Sequence, residues 1–310
     1  MSSEVFLYLP VALTSVSTIV ILSIGLSIGL LSGLFGVGGG FLITPILMML
    51  GIPPTVAAAS GASQMVGASA SGTYTHWKLG NVDFKMGIYL LIGSFLGGVA
   101  GVYAVSILKS LGNADFIIKL TYVLIPLFIG TYMAFESLQS MRKAKTHAGR
   151  EERSQEPSGF KKFLRSLPLQ TDFEKSGVRH SLLLPITIGI LVGLLAAIMG
   201  VGGGFIMVPI MLYVLDMPIL VVVGTSLFQV LFTVIEVTFL SAYTNHTVDL
   251  ILALLMLVGS SIGAQLGTKL SKKMDAEQLK ILLALLILAV GIKVLTELTL
   301  SPTIRLALTS

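Results

Sequence analysis

Long apolar runs, separated by short polar or glycine-rich stretches, make up almost the whole chain. The first five segments are 11–35, 41–50, 54–75, 86–108 and 116–138, and after a polar stretch the second five are 182–199, 205–215, 219–243, 250–270 and 279–298. About 20 apolar residues in a helix cross a bilayer core. The pattern therefore predicts an all-α, multi-pass integral membrane protein whose main partner is the lipid bilayer.

The two sets of segments share residues, which predicts a duplicated architecture. The sequence GVGGGF at 36–41 recurs at 200–205, and Pro45 recurs as Pro209, both at an offset of 164. Small insertions bring Ser60 into register with Thr225 and Gln64 with Gln229. We therefore expect a first transmembrane repeat over 1–140, a loop over 141–180 and a second transmembrane repeat over 181–310.

Charge is concentrated in the stretch between the repeats. Of 35 charged residues, 15 lie between positions 142 and 179, and their net charge of +5 equals that of the whole chain. A basic loop beside a membrane marks the cytoplasmic side, so the excess does not predict a nucleic-acid partner. If all five segments of each half cross, most other lysines also fall inside, which favours inverted repeats with both termini outside.

The first apolar segment is expected to stay in the protein as its first helix. Glu4 is the only charge before it, whereas a signal peptide has a basic start and a shorter apolar core.

Each GVGGG motif predicts a break between two helices. Four glycines in five residues are unfavourable in a continuous helix, and peptide groups that leave a helix within the membrane need protein or a wet cavity around them. The segment that follows is too short to span alone. Its first amides and its helix dipole would attract an anion to the glycines, and inverted repeats would bring two such helix starts together near the midplane.

The third segment of each half adds neutral polar side chains. Ser60 and Gln64 share a helix face, the repeat places Thr225 and Gln229 in the same way, and Ser226 is adjacent. Such groups bind an oxyanion without holding it too tightly, although hydrogen bonding between helices explains each one equally well. The candidate substrate-binding residues are Gly36, Gly38, Gly39, Gly40, Phe41, Ser60, Gln64, Gly200, Gly202, Gly203, Gly204, Phe205, Thr225, Ser226 and Gln229.

Glu236 lies on the same face as Gln229, seven residues further on, well inside an apolar segment. A carboxylate there must be protonated, paired or hydrated, so Glu236 is a candidate for coupling proton movement to anion movement. A carboxyl group bonded to a neighbouring helix is the structural alternative. The chain has no cysteine and no paired acids or catalytic motif, so we expect neither an enzyme nor a metal or cofactor.

The duplicated Gly-x-Gly-Gly-Gly with its proline, the Ser/Thr-rich helix and the Gly-Asn-Val-Asp turn at 80–83 resemble the sulfite exporter (TauE/SafE) family. The resemblance covers nearly the whole chain. It implies an inner-membrane transporter of sulfite, organosulfonates or related anions, commonly exporting, and it points first to the eight motif glycines. A carrier or importer of another small anion such as a carboxylate, or a membrane scaffold whose basic loop docks a partner, stays open, as does a homo-oligomer.

Overall fold

A computed structural model describes residues 6–11, 14–146, 168–246, 248–271 and 273–300. Across these residues the chain forms ten α-helices, two β-hairpins and one π-helical turn. The helices are α1 (Thr18–Phe35), α2 (Gly40–Met49), α3 (Pro54–Lys78), α4 (Phe84–Ser110), α5 (Ala114–Thr146), α6 (Leu183–Met199), α7 (Gly204–Tyr213), α8 (Ile219–Leu240), α9 (Leu250–Ser271) and α10 (Ala276–Leu300). The strands are β1 (Phe6–Leu9), β2 (Thr14–Ser17), β3 (Gln170–Phe173) and β4 (Val178–Ser181), and the π-helical turn is Ser241–Asn245.

The helical membrane class predicted from the sequence is confirmed. Six helices, namely α1, α4, α5, α8 with its π-helical turn, α9 and α10, contain stretches long and apolar enough to cross a membrane. Large apolar side chains on their outer surfaces are exposed, for example Phe128 at 76% and Phe239 at 69%. An outward apolar surface of this kind belongs in contact with lipid.

The two hairpins correct the all-α prediction. The first apolar segment, expected from residue 11, is helical only from Thr18, because Pro10 lies in the turn that links two short antiparallel strands. Phe6 pairs with Ser17 in this hairpin, and Gln170 pairs with Ser181 in the second hairpin. Helix α5 also continues past residue 140, to Thr146.

Both hairpins belong to the repeat, since each strand of the first recurs in the second at the motif's offset of 164. Their sequences share little beyond Ser17 and Ser181 and a buried side chain at the end of the first strand, Leu9 or Phe173. Hydrophobic patterning could not reveal this equivalence because one hairpin is apolar and the other is charged.

The halves exchange helices. Helix α1 packs on α9 of the second half, and α6 packs on α4 of the first half. A Cβ atom built on Gly29 would lie 2.2 Å from the carbonyl oxygen of Ser260, and one built on the equivalent Gly193 would lie 2.2 Å from that of Ser94. Only glycine permits this approach of two backbones, so Gly29 and Gly193 have the same packing role in the two helix pairs.

Each hairpin tip contacts the aspartate that caps the fourth helix of the other half. Asp83 caps α4 by accepting from the amide of Met86 and also accepts from the Ser176 hydroxyl at the tip of the second hairpin. Asp249 precedes α9 and accepts from the amide of Leu252 and, at 3.0 Å, from the amide of Val11 beside the tip of the first hairpin. The hairpins thus tie the start of each half to the opposite half.

Candidate functional site

The helix is interrupted at both GVGGG motifs. Helix α1 ends at Phe35 and α2 begins at Gly40, while α6 ends at Met199 and α7 begins at Gly204. We call residues 36–40 the first glycine turn and residues 200–204 the second glycine turn. Three glycines in each turn have left-handed backbone angles, with φ of 74°, 79° and 82° in the first and 66°, 64° and 77° in the second. These angles explain why the turns require glycine.

The two turns touch each other inside the protein. A Cβ atom built on Gly204 would lie 2.3 Å from the carbonyl oxygen of Val37, and one built on Gly40 would lie 2.8 Å from the Cα of Val201. The buried rings of Phe41 and Phe205 are stacked with centroids 5.5 Å apart. The N-termini of α2 and α7 therefore lie side by side.

This junction concentrates peptide N–H groups. The first amides of a helix have no acceptor within it, and the hydrogen bonds of the described residues supply none for Gly40, Phe41, Gly204 or Phe205. Two adjacent N-termini also bring together the positive ends of two helix dipoles. A small anion is the natural ligand for such an arrangement.

Apolar side chains from α3 and α8 close the junction. A Cβ atom built on Gly38 would lie 2.8 Å from Val230 Cγ1 and 3.2 Å from Met65 Sδ, and one built on Gly202 would lie 2.9 Å from Val230 Cγ1. Met65 and Val230 are repeat equivalents that directly follow Gln64 and Gln229. Sequence analysis missed them, although their place after the paired glutamines is a signal that could have singled them out.

A narrow crevice reaches the second glycine turn. Its volume is about 10 Å³, enough for one water molecule at most. It is lined by residues that include Thr55, Ala58, Ala197, Gly200, Ser241 and Asn245. In this conformation the crevice is too small for an oxyanion such as sulfite, so side chains must move for such a ligand to enter.

The Ser60 and Thr225 hydroxyls hold helix starts. Ser60 Oγ accepts from the amide of Asp249 at 3.0 Å, and Thr225 Oγ1 accepts from the amide of Asp83 at 2.9 Å. Both side chains are fully buried. The structure therefore gives these two predicted residues the same anchoring contact, each to the fourth helix of the other half.

Ser226 contacts the first glycine turn directly. Its hydroxyl donates to the carbonyl oxygen of Gly36 at 2.7 Å. The repeat equivalent of Ser226 is Gly61, where a Cβ atom would lie 3.9 Å from the carbonyl oxygen of Gly200. The hydroxyl of Ser226 thus has no counterpart beside the second turn, where Ile43 Cγ2 and Thr44 Oγ1 would lie 2.9 and 3.1 Å from a Cβ atom on Gly61.

The two glutamines have different surroundings, although both are fully buried. Gln229 Nε2 donates to Ser94 Oγ at 2.7 Å and to Thr233 Oγ1 at 2.8 Å. Neither amide atom of Gln64 has a hydrogen-bond partner among the described residues. The reason lies in its neighbours, because Ala68 replaces Thr233 and Ser260, the equivalent of Ser94, donates to backbone carbonyls instead.

Glu236 lies on α8, and its carboxylate contacts the backbone of α4 at Gly98. A Cβ atom built on Gly98 would lie 2.8 Å from Glu236 Oε2. That oxygen has no hydrogen-bond partner in the part of the chain that the structure describes. Its repeat equivalent, Ser71, donates to the carbonyl oxygen of Ser261. The acid is therefore specific to one half.

Tyr122 is a further residue at the junction that sequence analysis missed. It is fully buried, and its hydroxyl donates at 2.8 Å to the carbonyl oxygen of Met199, the last residue of α6. This bond fixes α5 beside the second glycine turn. One tyrosine among eight in an apolar chain carries no local signal of such a contact.

Within the described ranges, no group of three His, Cys, Asp or Glu side chains is placed to hold a metal ion. The chemistry that the junction offers is therefore that of peptide amides and neutral side chains.

Comparison with known proteins gives matches along nearly the whole chain. The sequence model of the family described as "Sulfite exporter TauE/SafE" matches residues 21–294. "Probable membrane transporter protein YunE" of Bacillus subtilis (strain 168) is 26% identical over 295 residues, which cover 91% of this chain and 98% of that protein. "Probable membrane transporter protein YjnA" of the same organism is 26% identical over 278 residues, covering 89% and 98%.

A shorter match links the chain to a plant protein. "Sulfite exporter TauE/SafE family protein 3" of Arabidopsis thaliana is 28% identical over 95 residues, which cover 30% of this chain and 20% of that protein. No solved structure matches the chain significantly.

Proposed function

Since the chain belongs to the sulfite exporter TauE/SafE family, we propose that it is a secondary carrier that exports small sulfur oxyanions such as sulfite or an organosulfonate. The family match confirms the resemblance indicated by the repeated motif, and the chain is a multi-pass membrane transporter of this type. The observation that carries the proposal is the direct contact between two helix N-termini at the paired glycine turns.

The contacts at the two membrane surfaces support inverted repeats. Val11, at the tip of the hairpin that precedes α1, and Ser60, near the start of α3, both bond to Asp249. Helices α1 and α2 together therefore return to the surface from which they started. Ser176 and Thr225 meet at Asp83 in the same way, so α6 and α7 return to the opposite surface.

On this arrangement each half crosses the membrane three times, through its third, fourth and fifth helices, rather than five times. Helix α1, although long and apolar enough to cross, then forms a re-entrant pair with α2. An odd number of crossings still makes the second half enter from the other side, which is the inverted topology expected of many carriers.

Charge assigns the sides. Lys78, Lys85 and the described end of the basic stretch, residues 168–180, belong to the membrane surface that contains Asp83, here called the Asp83 surface. Lys109, which donates to the carbonyl oxygen of Asn245 at 2.7 Å, belongs to the surface that contains Asp249, here called the Asp249 surface. The positive-inside rule places the Asp83 surface in the cytoplasm. In an inner membrane, both termini then lie outside.

The anion site lies at the junction of the two glycine turns. Peptide amides of α2 and α7 supply the main donors, and Gln64, whose buried amide has no partner among the described side chains and backbone groups, is available to a ligand. Gln229 contributes only after rearrangement, because its one donor group, Nε2, is bound to Ser94 and Thr233 and its Oε1 has no hydrogen to donate to an anion. Ser60 and Thr225 position the helices around the site.

Access to the junction is restricted at both membrane surfaces, which suits an alternating-access carrier. The crevice beside Gly200 starts near Thr55 and Asn245, at the outer surface, while Ser226 closes the inner approach to Gly36. Movement of the α1–α9 pair against the α4–α6 pair, with displacement of the flexible Met65 side chain, would open the junction to one side at a time. Protonation of Glu236, which lies against α4, couples this movement to protons.

Flux into liposomes tests the proposal. Purified protein should move sulfite and methanesulfonate, and a variant lacking residues 150–166 should retain that flux, because the deletion leaves both hairpins intact. Acetate is the matched competitor with a carboxylate. Flux of acetate but not of sulfur oxyanions would assign a carboxylate carrier, and no flux of any of them would overturn the proposal.

A further inference from the structure

The walls of the two glycine turns differ at two equivalent positions. Ser32 on α1 and Ser69 on α3 border the first turn, whereas the second turn has Ala196 and Val234 at the equivalent places. The repeat offsets align both pairs. A serine therefore borders the first turn at each position where an alanine or a valine borders the second.

The contacts show that these positions are truly equivalent in space. A Cβ atom built on Gly39 would lie 3.4 Å from Ser32 Cβ, and one built on Gly203 would lie 3.5 Å from Ala196 Cβ. One built on Gly38 would lie 3.6 Å from Ser69 Oγ, and one built on Gly202 would lie 2.5 Å from Val234 Cγ1.

Both serines are fully buried, and neither hydroxyl has a hydrogen-bond partner among the residues that the structure covers. Most serines whose side chains the structure describes do have one: Ser63, Ser261 and Ser271, for example, donate to carbonyls of their own helices. Leaving a buried hydroxyl unpaired costs stability. The hydroxyls of Ser32 and Ser69 are both unpaired beside the first turn, and the equivalent positions beside the second turn carry only carbon. This difference indicates that the two hydroxyls are hydrogen-bond donors for a ligand.

We infer that Ser32 and Ser69 are specificity-determining residues that donate hydrogen bonds to the oxyanion, and that the anion is held against the first glycine turn rather than shared equally between the two. This inference rests on the proposed function and adds to it the side of the junction at which the anion binds. Hydroxyl donors suit an anion with acceptor oxygens in several directions, and they add no positive charge that would hold it too tightly.

The one-sided wall also has a chemical consequence for selection. Two hydroxyls approaching from α1 and α3, together with the amides of α2, surround a ligand from three helices. A pyramidal sulfur oxyanion can direct one of its three oxygens toward each helix. A planar carboxylate has enough lone pairs for these donors, but its two oxygens point toward two helices at a time and leave the donors of the third helix without an acceptor in reach. Unpaired donors in a buried site are the usual basis for rejecting an analogue.

The test combines affinity with stability. We would measure sulfite, methanesulfonate and acetate binding by calorimetry under anoxic conditions for the wild-type protein, Ser32→Ala, Ser69→Ala and the double variant. The melting temperature of each ligand-free protein is the second measurement. Ser271→Ala is the matched control, because Ser271 is also a buried serine, but its hydroxyl donates to Thr268 at 2.9 Å, in the last turn of α9.

Each serine variant should weaken sulfite binding about ten- to hundredfold, the loss expected for a hydrogen bond to a charged group. Its ligand-free melting temperature should be equal to or above that of the wild-type protein, since the replacement removes an unpaired buried hydroxyl. Ser271→Ala should keep the wild-type affinity. A serine needed only for folding would instead lower the melting temperature and leave the affinity unchanged.

The outcomes separate this inference from the proposed function. If the wild-type protein binds sulfite and both serine variants bind it equally well, the inference is overturned and the proposed function stands. If the wild-type protein binds and moves none of the three anions, both are overturned. Equal loss of affinity in Ser271→Ala would also overturn the inference, because the effect would then not depend on the first turn.

Discussion

The first and second glycine turns have the same backbone but different surroundings. Both interrupt a helix with three left-handed glycines, and both begin a ten-residue helix. Beside the first turn lie Ser32 and Ser69, with the unpartnered Gln64 on the same helix as Ser69. Beside the second turn these polar groups are replaced or already bound. The comparison teaches that duplication supplies a symmetric frame, whereas the unpaired serine hydroxyls and the unpaired carboxamide donor beside the turns belong to the first half.

The largest effect is expected from the frame itself. Gly39→Ala and Gly203→Ala should each abolish anion flux, because both glycines have a left-handed φ. A Cβ atom would also lie 2.6 Å from Ile28 Cγ2 in the first turn and 2.3 Å from Val192 Cγ1 in the second. Valine in place of either glycine should abolish anion binding as well. Liposome flux and anion affinity measure both effects.

Gly51 provides the control for that experiment. Its φ is 83°, but nothing lies within 4 Å of a Cβ atom built on it. Gly51→Ala should therefore cost only about 1–2 kcal/mol of backbone strain and retain flux. Normal flux in Gly39→Ala would show that the tight fit of the turns is not needed for transport.

Replacing Gln64 should change anion affinity, whereas replacing Gln229 should change stability. Gln64→Leu should lower sulfite affinity about tenfold without loss of stability, because it removes an amide that has no protein partner within the described structure. Gln229→Leu breaks bonds to Ser94 and Thr233 and should destabilise the fold by about 2 kcal/mol. Calorimetry and thermal unfolding measure the two effects, and equal behaviour of the two variants would contradict the asymmetry.

Glu236 extends the comparison to coupling. Glu236→Gln should flatten the pH dependence of flux, since it removes a titratable group that the first half lacks, while transport at a fixed favourable pH changes only a few-fold. Ser71→Ala, at the equivalent position, should keep the wild-type pH profile. The measurement is flux at several pH values with and without a proton gradient, and an unaltered profile in Glu236→Gln would remove the acid from the coupling scheme.

The smallest effects should be the same in both halves. Ser60→Ala and Thr225→Val each remove an acceptor for the amide that starts α9 or α4, and each should cost about 1 kcal/mol of stability. Thermal unfolding should show similar losses, and sulfite affinity should stay within about twofold. A large loss of affinity in either variant would show that its hydroxyl contacts the anion, as the sequence predicted.

The helices were predictable because their signals are local. Each of the ten apolar segments overlaps one helix, and four glycines in five residues indicated where the helix stops. Ser60 and Gln64 were predicted to share a face, yet the partner of each polar group depends on the helix opposite it, which spacing within one helix cannot specify.

The hairpins and the asymmetry were not predictable for different reasons. The two hairpins occupy equivalent places with almost unrelated sequences, and the one serine that their strands share, Ser17 and Ser181, is too little to mark a repeat. Ser32 and Ser69 lie in segments rich in small residues, where a serine more often bonds to its own helix. Their unpaired state becomes visible only when the residues around them are placed in space.

The exchange of helices between the halves bears on how the protein is made. Helix α1 leaves the ribosome early, but its partner α9 begins only at Leu250. During synthesis the glycine-lined side of α1 must therefore contact lipid or an insertion factor until α9 has been made. Two separately expressed halves should accordingly assemble into a working transporter only when they are produced in the same membrane.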